Sequence, residues 1–305
     1  MRNAFAEVLY EVAKVDPRIY IVVSDISPAG SIARFRTEFP ERFINVGVAE
    51  QCMIGICAGL ALKGMRPFAY TIATFSLYRP FEMVRDDLGY QNLPVTVVGV
   101  GGGVVYSTLG GTHYAQEDVA IAGAIPNMSI LAPCDPEEAK QVTRWIAARD
   151  KGGPIYLRFG KAGEPVITDG AAEPFRFGKL RHLWKGEDVA VVSYGVLMKM
   201  ARDVAHGLKE QGQSVSLVSC PTMKPLDHEG LADVLRRHNK VIVLEEHVPQ
   251  GGLAPQTKQI AWDIQAKCQL HTFTLKDEFV HCYGSHEDIL AAHGLSAKLI
   301  LAAVR

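Results

Sequence analysis

The feature that most limits what this chain can fold into is an alternation. Short runs of apolar and β-branched residues recur at 19–24, 43–46, 67–72, 94–100, 128–132 and 155–159, and again at 189–194, 215–219, 241–244 and 270–275. Between them lie segments of helical character, at 3–15, 50–62, 77–91, 135 to about 150, 197–211, 231–238 and 256–266. Strand-length runs that stay apolar throughout are those of strands buried on both faces, and helices between them imply a parallel sheet with helices on either side. One helix start is well signed: Asp135 is placed to be the N-cap, Pro136 to occupy the first helical position, and Glu138 to complete a capping box. The rhythm fails only over 163–187, where Pro165, Pro174, several glycines and scattered charges read as a linker. The expected architecture is therefore α/β, with two domains at 1–163 and 187–305 joined by a linker at 164–186, each a mostly parallel sheet flanked by helices.

Composition excludes several function classes. Of 305 residues, 48% are apolar, which is enough for a sizeable core, and the net charge is −1. A near-neutral chain with no basic run is not built to hold nucleic acid. The six cysteines form no CxxC pair and no zinc-spaced cluster with histidine, as expected of scattered thiols in a reducing cytosol. Glu7, Glu11 and Lys14 break up the N-terminal segment, so it does not read as a signal peptide, and no apolar run is long enough to span a bilayer. A soluble cytoplasmic protein without nucleic-acid or membrane partners is expected.

The sharpest chemical signal is the run Phe43-Ile44-Asn45-Val46-Gly47-Val48-Ala49-Glu50-Gln51, in which a strand ends in glycine and a carboxylate opens a helix. A glutamate in a first helical turn ordinarily does no more than favour the helix dipole. Here Val46, Val48, Met53 and Ile54 predict a poorly solvated site, where a carboxyl's pKa tends to rise and the group can then donate a hydrogen bond.

With Arg42 before it, this run closely resembles the pyrimidine-binding domain of transketolases and 1-deoxyxylulose-5-phosphate synthases. The resemblance implies thiamine diphosphate as cofactor. It gives Glu50 the role of bonding N1′ of the aminopyrimidine, which stabilises the imino tautomer whose 4′ nitrogen takes the thiazolium C2 proton. Three more stretches follow in the family's order. The segment Ala73-Thr74-Phe75-Ser76-Leu77-Tyr78-Arg79-Pro80-Phe81-Glu82 is similar to one that flanks the pyrimidine, making Phe75 the stacking residue with Tyr78 and Phe81 beside it. The i, i+3, i+6 spacing of these aromatics equally suits a helix that buries them. The run Gly110-Gly111-Thr112-His113 resembles the loop that presents a histidine to the reacting carbon, so His113 is expected to donate a hydrogen bond and shuttle protons. It follows Gly101, Gly102 and Gly103 at the end of a buried strand, a favoured ligand position. In Tyr156-Leu157-Arg158-Phe159-Gly160, Arg158 matches an arginine that binds the sugar phosphate; the alternative is a structural arginine at a domain boundary.

Departures from the pattern bear on substrate. Ala29 falls where a phosphate-contacting serine would lie, leaving Ser27 or Ser31 to compensate. Leu109 falls where the family has an aspartate able to bond a donor hydroxyl, which predicts a donor shifted toward a modified or less hydroxylated sugar or a small 2-oxoacid. The stretch from Val241 to His247 with Gly251 and Gly252 resembles the family's C-terminal domain, implying a structural, dimer-supporting role in which Glu245 and Glu246 are not catalytic.

The family's Gly-Asp-Gly metal motif is absent from this sequence. A diphosphate needs a metal or several donors to neutralise it, so the Mg²⁺ ligands are expected on a separate subunit. The resemblance thus implies the β-type subunit of a two-subunit transketolase, moving a two-carbon ketol unit between phosphorylated sugars. It would be active only with its partner, as an α2β2 heterotetramer with β–β contacts. Rival readings are deoxyxylulose-phosphate-synthase-like acyl transfer, a 2-oxoacid dehydrogenase β subunit, and a non-catalytic scaffold. The presence of Glu50, Phe75 and His113 together weighs against the scaffold.

Overall fold

The computed structural model describes residues 1–26 and 31–305, with Ser31 described in its backbone alone. Helix α1 (Arg2–Val15) leads into β1 (Ile19–Val23); α2 (Ser31–Glu38) precedes β2 (Phe43–Asn45), and α3 (Glu50–Leu62) precedes β3 (Arg66–Ile72). Next come α4 (Ala73–Leu77), α5 (Phe81–Met83) and β4 (Thr96–Val100), then α6 (Asp118–Ala124), β5 (Ser129–Leu131), α7 (Pro136–Ala147) and β6 (Ile155–Phe159). The later half contains β7 (Arg181–Trp184), β8 (Val189–Ser193), α8 (Met198–Glu210), β9 (Val215–Ser219), β10 (Thr222–Lys224) and α9 (His228–Arg237). It ends with β11 (Lys240–Leu244), α10 (Leu253–Asp263), β12 (Gln269–Phe273), α11 (His286–Ala292) and α12 (Ala297–Ala303).

The strands form two sheets, one of seven strands in the order β10-β5-β6-β4-β3-β1-β2 and one of five in the order β12-β11-β8-β9-β7. Among the described residues, every pairing of strands is parallel except β10 with β5 and β7 with β9, which are antiparallel edges. Both faces of the seven-stranded sheet are buried, which is why its strands are apolar without alternation. Ile21, Val23, Phe68 and Tyr70 point to one face, beneath Phe5 and Leu9 of α1, while Val22, Ala69 and Val97 point to the other, toward Met53 and Cys57 of α3. The apolar cluster on that second face continues without a break into Val192, Val218 and Val243 of the five-stranded sheet.

Several elements differ from what the sequence predicts. The helix expected over 77–91 starts earlier, as α4, which ends at Leu77, and resumes as α5 and a π-helical turn at Val84–Tyr90. Pro80, with no N–H to donate, sits at the break. The segment read as a linker contains β7, whose residues alternate buried and half-buried as an edge strand's do. β10, deep in the later half of the sequence, closes the sheet of the earlier half. Asp135 caps α7 by accepting from the Glu138 N–H at 2.7 Å, as predicted. Glu138 does not close the capping box. Its carboxylate accepts instead from the Cys134 N–H at 2.9 Å and pairs with Arg181 at 3.1 Å.

Candidate active site at the strand carboxyl ends

The turn between β2 and α3 sets the position of Glu50. Gly47 has a φ of +69°, a conformation L side chains avoid. The Asn45 side chain accepts from the Gly47 N–H at 3.0 Å, and the Ser24 hydroxyl donates to the Gly47 carbonyl at 2.8 Å. The chain is thereby turned so that Glu50 is the first residue of α3, with only 3% of its surface exposed. Its Oε1 accepts from Arg79 Nη1 at 2.8 Å.

Phe75 comes from α4, at the carboxyl end of the neighbouring strand β3. The Arg79 guanidinium carbon lies 3.9 Å from the centre of the Phe75 ring. On another side, the His113 imidazole meets Phe75 edge-on, with centroids 5.2 Å apart and planes at 67°. His113 sits in a short 3-10 turn, Gly111–His113, beyond the carboxyl end of β4, and its Nδ1 is 3.0 Å from the Thr112 hydroxyl. Partial burial, with the positive charge of Arg79 nearby, pushes the His113 pKa below its ordinary value. The imidazole is then neutral at pH 7 and can donate at one nitrogen while accepting at the other. Glu50, Arg79, Phe75 and His113 therefore form one continuous set of contacts.

The other expected residues lie elsewhere. The Tyr78 hydroxyl is engaged by Glu117 Oε2 at 2.9 Å, and burial beside Asp118 and Glu117 raises the phenol's pKa. Phe81 packs with Tyr78 against the apolar cluster between the sheets. Ser27 lies outside the described residues, as does the side chain of Ser31. Leu109 is 47% exposed, at the turn that carries the loop toward His113.

Arg158 departs most from expectation. It is 3% exposed. Its Nε donates to Asp118 Oδ2 at 2.8 Å and its Nη2 to the Glu246 carbonyl at 3.0 Å. Tyr156 donates to the same Asp118 oxygen at 2.8 Å. A guanidinium committed in this way to a buried carboxylate and a backbone carbonyl offers no fork to a phosphate. The geometry favours the structural role at a boundary over phosphate binding. The glycine-rich loop after β4 is explained by the same boundary. Gly103 has a φ of +72°, and a Cβ there would collide with Glu246 Oε1. Val104 N–H donates to that oxygen at 2.6 Å, and His286 Nε2 lies 2.9 Å from it. Gly103 thus admits the other half of the molecule, whereas a Cβ at Gly101 or Gly102 would collide with Tyr106 or Arg158 of the same half.

Arg79 is the site residue that sequence reasoning missed. The signal was present: Phe75 and Arg79 are four residues apart, the spacing that brings side chains together across a helical turn. Among the described residues, no group of three or more His, Cys, Asp or Glu side chains could hold a metal ion.

Residues 1–163 match the model of the transketolase pyrimidine binding domain, and residues 178–300 match the transketolase C-terminal domain. The chain is 33% identical to a putative transketolase C-terminal section of Methanocaldococcus jannaschii, over 98% of this chain and 93% of that protein. It is 30% identical to one of the subunits of the apulose-4-phosphate transketolase of Phocaeicola vulgatus, over 96% of this chain and 93% of that one. Among solved structures, a split gene transketolase described as an inactive beta4 tetramer superposes with a TM-score of 0.86 at 30% identity, covering 99% of this chain and 96% of that one.

Proposed function

The chain belongs to the transketolase family, and from that premise we propose that it is the β-type subunit of a two-subunit transketolase. It would transfer a two-carbon ketol unit between phosphorylated sugars and act only together with a separate subunit. The observation that carries this reading is the placement of Glu50, a buried carboxylate at a helix start beside a half-exposed aromatic ring and a neutral histidine. The residues fit the pyrimidine end of thiamine diphosphate: Phe75 supplies a face to stack on, and Glu50 an acceptor for a ring N–H. When bound, the cofactor supplies the nucleophilic carbon that ketol transfer requires. Glu50 holds a proton at the pyrimidine N1′, and His113, half-buried at the mouth, donates to the oxygen of the carbonyl under attack and returns the proton afterwards. We assign Mg²⁺ and the diphosphate to the partner subunit, since this sequence has no Gly-Asp-Gly run.

Relatives of nearly the same length, one named as a C-terminal section and another as a single subunit of its transketolase, support a split enzyme. We propose an α2β2 assembly with β–β contacts. The division into a pyrimidine-binding unit at 1–163 and a C-terminal unit from 187, joined through 164–186, is part of the same reading. The named substrate of one relative, a modified sugar phosphate, supports a donor that departs from ordinary ketose phosphates. Among the described residues, no helix is long and apolar enough to cross a membrane. Six unpaired cysteines suit the reducing cytosol in which we place the protein.

The test is co-expression with the subunit carrying the diphosphate-binding domain, followed by a screen of ketose, modified-sugar and 2-oxoacid donors with thiamine diphosphate and Mg²⁺. Ketol transfer by the complex, with none by either subunit alone, is expected. Turnover by the isolated chain would refute the split-site reading, and exclusive use of 2-oxoacids would replace the transketolase assignment with a dehydrogenase-type one.

A further inference from the structure

Glu50 and Phe75, the groups assigned above to the pyrimidine, are both engaged by one side chain of this same protein. Arg79 lies one helical turn past Phe75. Its guanidinium carbon is 3.9 Å from the centre of the Phe75 ring and its Nη1 is 2.8 Å from Glu50 Oε1. A guanidinium is flat and delocalised, and it carries N–H donors along its edge. To an aromatic face and a carboxylate it presents what an aminopyrimidine with a protonated ring nitrogen presents, a plane to stack and an N–H directed at oxygen. The side chain is 44% exposed. The Arg79 carbonyl accepts from Gln51 Nε2 at 3.5 Å, so the backbone has its own tether to α3 and the head group can leave toward solvent without disturbing the fold.

We propose that Arg79 is a placeholder for the pyrimidine, an internal side chain that occupies the half-site until the cofactor displaces it. The inference rests on the assignment of Glu50 and Phe75 to the pyrimidine. A carboxylate buried as deeply as Glu50 is costly to leave without a partner, and the exchange gives it one in both states. Arg79 also competes with the cofactor, because binding counts only the fraction of time the guanidinium is away.

The experiment measures thiamine diphosphate affinity calorimetrically on the reconstituted complex, for wild type, Arg79→Met and Arg79→Lys. The Arg79 guanidinium keeps much of its surface in solvent, so its ion pair and its cation–π contact hold it only modestly. Arg79→Met is therefore expected to tighten the cofactor by roughly three- to thirtyfold, with Arg79→Lys in between. A double-mutant cycle of Glu50→Gln with Arg79→Met, read by thermal midpoint, is expected to show coupling without cofactor and none at saturation. Weaker cofactor binding by Arg79→Met, or coupling that survives saturation, overturns the inference and makes Arg79 a positioning residue of the loaded site. A wild-type complex that binds no thiamine diphosphate overturns the pyrimidine assignment itself, and the inference with it.

Discussion

Glu50 is held by a short turn whose bonds come from Ser24, Asn45 and the backbone of Gly47. Its chemistry can therefore be removed without removing its scaffold. Glu50→Gln keeps the shape and loses the exchangeable proton. Turnover of the reconstituted enzyme is expected to fall by ~10²–10⁴ with an unchanged circular dichroism spectrum, and turnover within about threefold of wild type would refute the assignment. Arg158 calls for the opposite signature. Its ion pair with Asp118 is buried on both sides, at 3% and 0% side-chain exposure. Arg158→Met leaves Asp118 charged and short of a partner, at a cost of about 3–5 kcal/mol. Denaturant unfolding should show that loss, while the KM ratio between phosphorylated and unphosphorylated substrates stays as in wild type. The proposed site residues Glu50, Phe75 and His113, which the structure brings together, stand out in the sequence because each lies within a short, ordered run of neighbours. The role of Arg158 does not, because its partner is 40 residues away and a strand-end arginine looks the same whether it meets a phosphate or an aspartate.

At the scale of elements, long apolar runs were readable as strands and their order as a parallel sheet. The strands that escaped, β7 and β10, are short antiparallel edges containing Arg181, His182 and Lys224. Their stability comes from a neighbour and not from their own pattern. The start of α7 shows how much one cap can carry. Besides the Glu138 N–H, Asp135 accepts from the N–H groups of Ile167 and Thr168 at 2.7 and 2.6 Å and from the Thr168 hydroxyl at 3.1 Å. The sequence announced the first of these bonds and could not announce the rest, since they come from the segment after β6. Asp135→Ala strands buried backbone donors as well as uncapping the helix. It should cost about 3–5 kcal/mol, above the ~1 kcal/mol of an ordinary cap. Amide hydrogen exchange should show lost protection both in the first turn of α7 and at residues 167–168. Loss confined to α7 would contradict the bridging role.

The two sheets are joined along a seam in which Arg158 donates to the Glu246 carbonyl and the Val104 N–H to the Glu246 carboxylate, with His286 beside that carboxylate. Burial lowers the His286 pKa, but the Glu246 carboxylate, with a smaller contribution from Glu287 and against an opposing one from Lys199, raises it above the ordinary value overall. A raised histidine pKa in the folded state gives stability that is complete below about pH 6.5 and is lost as pH climbs through the raised value. The thermal midpoint of the protein should therefore decline across that alkaline window, and His286→Gln should flatten the decline. A separate fall is expected at lower pH from Glu245, whose carboxyl burial pushes up to about 7. Its neutral form is favoured in the fold, so its contribution is lost as pH rises between about 4.5 and 7 and should survive His286→Gln unchanged. If the substitution leaves the alkaline slope intact, the seam does not titrate through His286. The strand β10 has a consequence for biosynthesis. β5 ends at Leu131 and its edge partner is not complete until Lys224. At ribosomal speed that leaves a sheet edge bare for on the order of ten seconds. A nascent chain has to be kept from pairing with its neighbours on the polysome during that interval. Chimaeras spliced between relatives near residue 164 would inherit a foreign strand for the same gap, so productive crossovers should fall after Lys224.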